Sequence, residues 1–248
     1  HDLLTEFKNW EGAKLTVALS QGTPWVLTVR ADLEAPRGNL EALQGLRLTA
    51  AEGPDLVFKQ LLQKGGLDPK RDLEILELPG AQERHVSFGV FAANALREGK
   101  IDGFWSNAMG AETAVNGGFG KIHVDVRRGD DPSEIRFSTF AGLATTDKYI
   151  ADEPHAIDAA VRAIVSSQKA LRADPSLAQV VGKKKFPPES AALISTIVTR
   201  DAEFYDPVIS EAAIQSLNAF AQSIGHLTAP VSYEDVVATR CCKLWTDD

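Results

Sequence analysis

GLRLTAAEGPD at residues 45–55 and GKIDGFWSNAMG at residues 99–110 are the two stretches that decide the fold of this chain. Each contains a short apolar strand that ends in small or polar residues just before a predicted helix. In an open parallel sheet, ligands collect at the carboxyl ends of the strands, where the next helix presents unpaired N–H groups and a positive dipole end. The stretch from Leu46 to Asn107 therefore predicts a ligand-binding α/β half-domain.

The alternation of strands and helices extends over residues 40–126. Strands are predicted at 46–49, 73–78, 101–105 and 122–126, with helices of about ten residues between them. Such alternation predicts a mostly parallel sheet that is covered on both faces. The sequence thus predicts one compact lobe in the middle of the chain.

Two regions flank this lobe. Before it, KLTVAL (14–19) and WVLTVR (25–30) are predicted strands; after it, 137–145 is predicted to be extended and helices are predicted at 157–171, 177–181, 189–199, 206–224 and 233–238. We therefore expect a two-lobed α/β fold, with a discontinuous lobe 1 of residues 1–36 and 128–248 and an inserted lobe 2 of residues 37–127. Paired links between lobes commonly act as a hinge, so a cleft that closes on its ligand is expected.

Composition and charge exclude several classes of function. The 248 residues carry a net charge of −8, and apart from Lys183–Lys185 the charges are interspersed. Because nucleic-acid phosphates require a concentrated basic face, no nucleic-acid partner is expected. No run approaches the roughly 18 apolar residues of a membrane span, and the acidic, amphipathic start does not have the pattern of a signal peptide, so direct membrane insertion is not expected. Adjacent residues rarely reach disulfide geometry, so Cys241 and Cys242 define no disulfide framework.

Catalytic motifs are weak. The five histidines fall in different predicted elements, and no HExxH, CxxC or GxSxG pattern occurs, so no catalytic residue, metal or cofactor is predicted. His123 and Asp125 lie two residues apart on a predicted strand and point to the same face. They form either an acid/base or metal-binding pair or a packed pair without a chemical role.

The order of several motifs resembles a known family. GLRLTAAEGPDLVFKQLLQKGGLDPKRDLEILEL (45–78), ALREGKIDGFW (95–105) and GHLTAPVSYEDVVATR (225–240) resemble substrate-binding proteins of ABC importers for nitrate, taurine and alkanesulfonates, and related thiamine-pyrimidine precursor binders. The resemblance spans about residues 14–240. It implies a type II periplasmic-binding-protein fold, a periplasmic or extracytoplasmic location and an ABC permease as partner.

The sequence departs from the family pattern in two places. The family's first lobe begins with a βαβ segment that carries its first ligand-contacting loop, and we find no counterpart here. Either the chain is a fragment or its first lobe is completed differently. In addition, Asp102 is followed by Gly103, Phe104 and Trp105 where smaller residues are common, which implies a bulkier and more aromatic pocket wall than in binders of inorganic anions.

The candidate ligand-binding residues of lobe 2 lie at strand ends. The first group is at the start of the first helix: Glu52, Gly53, Pro54 and Asp55. Backbone N–H groups at Gly53 and Asp55 are candidates to receive a carboxylate or sulfonate, although the Asp55 carboxylate would repel an anion or cap the helix. The second group, at the end of the third strand, offers an aromatic plane, a hydroxyl and an amide: Trp105, Ser106 and Asn107. Core packing is the alternative role of Trp105.

Other candidates are more distant in sequence. Arg84, in the loop 82–85, would pair with a carboxylate or sulfonate through its planar fork; a solvated loop is the alternative. Ser20, Gln21 and Thr23 are candidate polar contacts from lobe 1 or members of a plain turn. Trp25 and Phe140 are candidates for an opposing aromatic wall, with core or interlobe packing as the alternative.

We therefore expect the substrate-binding component of an ABC importer, which captures a small organic ligand, anionic and either sulfonate or aromatic in character, between two lobes. The alternative is an enzyme on the same scaffold, similar to decarboxylases or desulfinases, that acts on a small aromatic or sulfur-containing acid. A third interpretation is a degenerate family member with a regulatory role. Turnover, and its loss in His85→Ala or His123→Ala, separates the enzyme from the other two.

Overall fold

The computed structural model describes residues 1–81, 87–186 and 188–246. Two compact units are present: unit 1 comprises His1–Thr23 and Phe137–Asp248, and unit 2 comprises Pro24–Arg136. The α/β class predicted from the sequence is confirmed. The predicted lobe boundaries at 36/37 and 127/128 remain a prediction.

The strands and helices alternate along the middle of the chain. The strands are β1 (Ala13–Ser20), β2 (Val26–Arg30), β3 (Arg47–Ala50), β4 (Glu74–Ile75), β5 (Gly103–Ser106), β6 (Gly120–Val124) and β7 (Ala141–Thr146). The helices are α1 (Leu3–Glu6), α2 (Pro54–Lys64), α3 (Phe88–Arg97), α4 (Ala108–Asn116), α5 (Asp147–Asp152), α6 (Pro154–Ala173), α7 (Leu177–Lys185), α8 (Pro188–Asp201), α9 (Glu211–Ser223) and α10 (Tyr233–Val236). None of the helices in the described part of the chain is long and apolar enough to span a membrane.

Unit 2 is built on a five-stranded mixed sheet in the order β4-β3-β5-β2-β6. Strands β3, β4 and β5 are parallel, as the alternating pattern predicts, whereas β2 is antiparallel to both β5 and β6. From its sequence, the β2 segment is expected in the other lobe, beside the β1 segment. It instead lies inside this sheet, because Val26, Leu27, Thr28 and Val29 are buried between neighbours on both sides.

The helices of unit 2 follow the capping and periodicity signals of the sequence. Pro54 occupies the first turn of α2, and Gly53 precedes it with a φ of 86°, a conformation that favours glycine. The helix buries one face and ends at Gly65, while Gly66, with a φ of 84°, allows the chain to turn away. Helices α3 and α4 pack against each other where Gly89 meets Gly110. They cover the opposite face of the sheet, where they pack against Phe104 of β5.

Unit 1 combines a two-stranded antiparallel sheet, β1 and β7, with the C-terminal helices. Its core gathers buried residues from β1, α6, α9 and the C-terminal segment, among them Val17, Val161, Leu217 and Trp245. The predicted helix 206–224 starts later, at Glu211, because the Ser210 side chain accepts a hydrogen bond from the Ala213 N–H and caps the helix there. The predicted extended segment 137–145 is a 3₁₀ turn at Ser133–Phe137 followed by β7.

Candidate functional site

The central strands of unit 2 bring three of the predicted residues to one edge of the sheet. Ala50, Trp105 and Leu27 pair in one row across β3, β5 and β2, and Ser106 pairs with Val26 in the next row. Continuing this register past the strand ends leads to Glu52 after β3, Asn107 after β5 and Trp25 before β2. These three residues therefore flank the carboxyl edge of the parallel strands, where α2 and α4 begin.

The start of α2 offers less to an anion than the sequence suggested. The Asp55 N–H donates to the Ala51 carbonyl at 2.9 Å, the Leu56 N–H donates to the Gly53 carbonyl at 3.1 Å, and Pro54 has no N–H. These first N–H groups are therefore already used or missing. The prediction that the Asp55 N–H receives an anion is therefore wrong, because the tight turn at Gly53 lets this N–H bond to the Ala51 carbonyl.

The charges beside α2 also disfavour an anion. The Asp55 carboxylate pairs with Lys59 Nζ at 2.5 Å, one helical turn further on. A groove of about 1060 Å³ runs from this pair to the short edge strand β4. The charged side chains that line it comprise five acids, Glu52, Asp55, Asp68, Glu74 and Glu77, but only two lysines, Lys59 and Lys70. The groove is therefore net negative.

Trp105 is a core residue in this structure. Its side chain is 0% exposed and stacks on Phe58 of α2, with ring centroids 5.7 Å apart and planes at 17°. Within the described residues the indole Nε1–H has no hydrogen-bond partner, so packing holds the ring in place. The alternative role named for Trp105, core packing, therefore applies, and the ring plane is occupied by Phe58 instead of being open to a ligand.

Asn107 is the exposed polar group of the β5 end. The neighbouring Ser106 is almost fully buried, and its hydroxyl donates to the Asn107 carbonyl at 3.0 Å. Asn107 is the N-cap residue of α4, but its side chain makes no capping hydrogen bond to that helix. The Asn107 amide is thus exposed at the start of α4, a helix of nine residues, and its Oδ1 lies beside Gly89 of α3.

The predicted residues near β1 and β2 differ in their surroundings. Trp25 in unit 2 is half-buried directly before β2. In unit 1, the Gln21 side-chain amide donates to the carbonyls of Asp206, at 2.9 Å, and Val208, at 2.7 Å, which uses both of its hydrogens. Ser20 and Thr23 are buried, and Phe140 is half-buried against the core of unit 1. Of these residues, Trp25 is the one that directly adjoins the sheet edge of unit 2.

The remaining candidates are the loop residues Arg84 and His85 and the pair of His123 and Asp125. Arg84 and His85 lie outside the described residues. His123 is fully buried and its Nε2–H donates to the Asn39 carbonyl at 2.8 Å, while Asp125 accepts from Arg128 Nη1 at 2.8 Å. These separate partners match the packed interpretation of the His123 and Asp125 pair. No group of three or more His, Cys, Asp or Glu side chains in the described ranges is arranged to hold a metal ion.

Apart from Glu52 and Asp55, the residues that line the groove beside α2 are not among the predicted site residues. The Asp55–Lys59 spacing of four residues in a predicted helix was a usable signal for their ion pair. Glu74 and Glu77, in contrast, reach the groove only because β4 pairs beside β3. That proximity depends on the order of the strands in the sheet, which local sequence does not specify.

Solved structures with a similar fold include binding proteins and an enzyme. The chain is 16% identical to the alkanesulfonate-binding protein SsuA from Xanthomonas axonopodis pv. citri bound to MOPS, with a TM-score of 0.61 over 92% of this chain and 73% of that one. It is 13% identical to the periplasmic nitrate-binding protein NrtA from Synechocystis PCC 6803, with a TM-score of 0.61 over 93% and 66%. It is 16% identical to the desulfurization enzyme DSZB, with a TM-score of 0.60 over 93% and 78%. At these identities the likeness shows the fold, which is the one expected from the motifs.

The family follows from the sequence itself. A search of curated proteins gives no match. The model of the NMT1-like family matches residues 41–183, which is more than half of the chain and includes β3 to β7. The resemblance inferred from the order of motifs is thereby confirmed, and the chain belongs to the NMT1-like family.

Proposed function

We propose that this chain is the substrate-binding component of an ABC importer and that it captures a small organic molecule at the carboxyl edge of the unit 2 sheet. The fold it shares with sulfonate-binding and nitrate-binding proteins supports a binding role. The observation that supports the proposal is the position of Trp25, Glu52 and Asn107, which directly flank β2, β3 and β5 at the edge where α4 begins without a side-chain cap.

The chemistry of this edge suits a ligand with an apolar body and one polar or acidic group. The half-buried Trp25 ring offers a flat apolar surface. The Asn107 amide can donate and accept, and the start of α4 favours negative charge through its N–H groups and dipole. An acidic group of the ligand therefore binds on the α4 side, away from the net negative groove beside α2.

Capture is completed by residues of the other lobe in this proposal. Of the predicted contacts from lobe 1, Ser20 and Thr23 are buried and the Gln21 amide already donates to two carbonyls, so the half-buried Phe140 is the one that hinge closure can bring to the ligand. The permease then recognises the closed form, because a ligand that binds the closed form better shifts the population toward it. The protein acts outside the cytoplasm in this role.

A charge substitution at the start of α4 tests the proposed orientation of the ligand. Asn107→Asp adds a carboxylate at the N-terminus of α4, which favours the helix but repels an anion. We expect it to weaken binding of a sulfonate or aromatic carboxylate about tenfold or more, equivalent to roughly 1.4 kcal/mol. Asn116→Asp is the matched control, because it makes the same change at the last residue of the same helix.

The ligand for this test comes from a thermal-shift screen of alkanesulfonates, aromatic carboxylates and pyrimidines, followed by calorimetry. A ligand at 100 times its dissociation constant adds roughly 2.7 kcal/mol of stability. Equal affinities of Asn107→Asp and Asn116→Asp for an acidic ligand would contradict binding at α4. Conversion of a sulfinate or carboxylate to product, detected by mass spectrometry, would favour the enzyme alternative, for which the DSZB fold likeness is the supporting observation.

The two tryptophans at this edge are expected to respond in opposite ways to truncation. Trp25→Ala removes a half-buried surface and is expected to lower ligand affinity with little loss of stability. Trp105→Ala empties a core position stacked on Phe58 and is expected to cost about 3–5 kcal/mol of unfolding free energy. Urea denaturation and calorimetry on both variants measure the two effects, and the reverse assignment would show that the ligand edge is misplaced.

A further inference from the structure

A second groove runs along one face of α9 in unit 1. The α9 residues that line it recur every three or four positions, as one stripe of a helix does: Glu211, Ile214, Gln215, Asn218, Ala219 and Gln222. The opposite wall is the segment 230–234, which leads into α10. The groove has a volume of about 490 Å³, which is within the range of small-molecule sites. One continuous stretch of chain, 211–234, therefore supplies both walls.

This α9 groove lies on the side of β1 that β7 does not occupy. Val237, directly after α10, forms a parallel bridge with Leu15 of β1, and the Ala238 N–H donates to the Leu15 carbonyl at 2.9 Å. Strand β7 pairs with the other edge of β1. The groove is therefore separated by β1 from the edge at which a further strand would pair with β7.

Two hydrogen bonds fix how the walls of the α9 groove face each other. The Tyr233 hydroxyl donates to the carbonyl of Ile209, two residues before α9 begins, at 2.7 Å. The Asn218 side-chain amide, in the middle of α9, donates to the Val231 carbonyl at 2.8 Å. Tyr233 and Glu234 therefore lie beside the first turn of α9, whereas Val231 lies about two turns further along it.

The end of the α9 groove beside the first turn is acidic. Among the described residues, the charged side chains that line the groove are those of Glu211 and Glu234. Burial raises the pKa of the Tyr233 hydroxyl, and Cys242, Glu211 and Glu234 raise it further, so both carboxylates act on the same wall. Lys14 Nζ donates to the main-chain carbonyl of Glu234 but does not line the groove. With Lys14 counted, this end is still net negative.

The middle of the α9 groove contains a buried acceptor. Asn218 is only 5% exposed, and its Oδ1 has no hydrogen-bond partner within the part of the chain that the structure describes. Buried polar atoms nearly always have a partner, so a hydrogen-bond donor on a ligand would complete this one. Around it, Ala219 and Val231 add apolar surface to the two walls.

We propose that the α9 groove binds a small organic cation, with its ammonium group between Glu211 and Glu234 and its apolar body along Ala219 and Val231. An ammonium group donates three hydrogen bonds, and those to carboxylates are charge-assisted. The Tyr233 ring, held by its hydroxyl, adds an aromatic wall that attracts a cation. This site is separate from the sheet edge of unit 2, where the proposed importer ligand carries an acidic group.

Three compounds with one ring system test the charge that the groove recognises. Tryptammonium carries an ammonium group and an indole N–H, tryptophol replaces the ammonium by a neutral hydroxyl, and indole-3-propionate replaces it by a carboxylate. We expect tryptammonium to bind with a dissociation constant of about 1 mM or lower, measured by NMR titration. It should shift the side-chain amide signals of Gln215, Asn218 and Gln222, which line the groove.

The other two compounds and the parent chain give the outcomes that decide the proposal. Tryptophol should bind at least about tenfold more weakly than tryptammonium, and indole-3-propionate should leave the three amide signals in place. Equal binding of all three compounds, or no shift of these signals at about 10 mM tryptammonium, would overturn the proposal.

Removal of the two carboxylates tests the ammonium end. Glu211→Gln with Glu234→Gln keeps the size of both side chains and should weaken tryptammonium binding at least about tenfold. Glu11→Gln with Glu153→Gln is the matched control, because these exposed carboxylates of unit 1 do not line the groove. Equal affinities of the two double variants would show that Glu211 and Glu234 do not hold the cation.

A larger side chain on α9 tests the location of the apolar body. Ala219 lines the groove and is exposed, so Ala219→Phe fills the groove without disturbing the core, and it should abolish the amide shifts. Ala212→Phe is the control, at an exposed position of the same helix outside the groove. Circular dichroism checks that both variants are folded. Tryptammonium binding that survives in folded Ala219→Phe would exclude this groove as the site.

Discussion

At the residue scale, Asp102 joins three strands at the amino edge of the unit 2 sheet. Its carboxylate accepts hydrogen bonds from Arg47 Nε at 3.0 Å and Arg47 Nη2 at 3.1 Å, and Arg30 Nε lies 3.7 Å away. The hydrogen-bonded Arg47 guanidinium lowers the pKa of the Asp102 carboxyl. Because the Arg47 side chain is largely exposed, solvent screening limits the contribution of this pair, and we expect Asp102→Asn to destabilise the chain by about 1 kcal/mol at pH 7.

The lowered pKa gives this prediction a pH dependence. The stability that Asp102 contributes is present above the unfolded-state pKa of about 3.9 and is lost as the pH falls through the lower folded-state value. The cost of Asp102→Asn, measured by urea denaturation, should therefore shrink as the pH is lowered from 7 toward 3. Asp131→Asn, at an exposed carboxylate of the same unit, serves as the control. A cost that grows at low pH would contradict the assignment.

At the element scale, a glycine pair sets how closely α3 and α4 approach. A Cβ on Gly110 would come within 2.4 Å of the Gly89 carbonyl oxygen, which is backbone and cannot rotate away. Gly110→Ala is therefore expected to cost about 1–3 kcal/mol although alanine is the better helix former. It should also weaken ligand binding, because it displaces the start of α4.

Gly182→Ala in α7 is the matched control for this contact. A Cβ there would meet Ala191 at 3.4 Å, an ordinary packing distance. This variant should be neutral or gain up to about 1 kcal/mol from helix propensity. Thermal or urea denaturation of both variants measures the difference. Equal effects of the two substitutions on stability would show that the close approach of α3 and α4 does not determine the cost of Gly110→Ala.

Local signals predicted the helices of unit 2 well, and pairing partners poorly. The start of α2 at Pro54 and its end at Gly65 follow from residues within the segment itself. The partners of β2 do not, because which strand lies beside which depends on contacts between distant residues. The same limit applies to Trp105: a strand alternates faces, but only the position of Phe58 determines that the Trp105 ring is covered. The candidate site was thus located by its strand ends, while the exposure of its members required the structure.

At the scale of the whole molecule, the two units are expected to differ in how easily their sheets exchange amide hydrogens. In unit 2, β2 is buried and paired on both sides, so its amides exchange only when the sheet itself opens. In unit 1, β7 pairs antiparallel with β1, and the Asp147 N–H donates to the Gly12 carbonyl. By the alternation of a strand, the amides of Leu143 and Thr145 face β1 and those of Gly142 and Ala144 face away from it. The structure therefore predicts an alternating pattern of protection along β7 in the monomer.

Amide exchange followed by NMR tests this pattern. Gly142 and Ala144 should exchange at least about tenfold faster than Leu143 and Thr145, because the pairing with β1 holds only the latter two amides. Leu27 and Val29 of β2 serve as the internal reference, since β2 pairs on both sides. Uniform protection along β7 would mean that a further segment covers the side of β7 that faces away from β1.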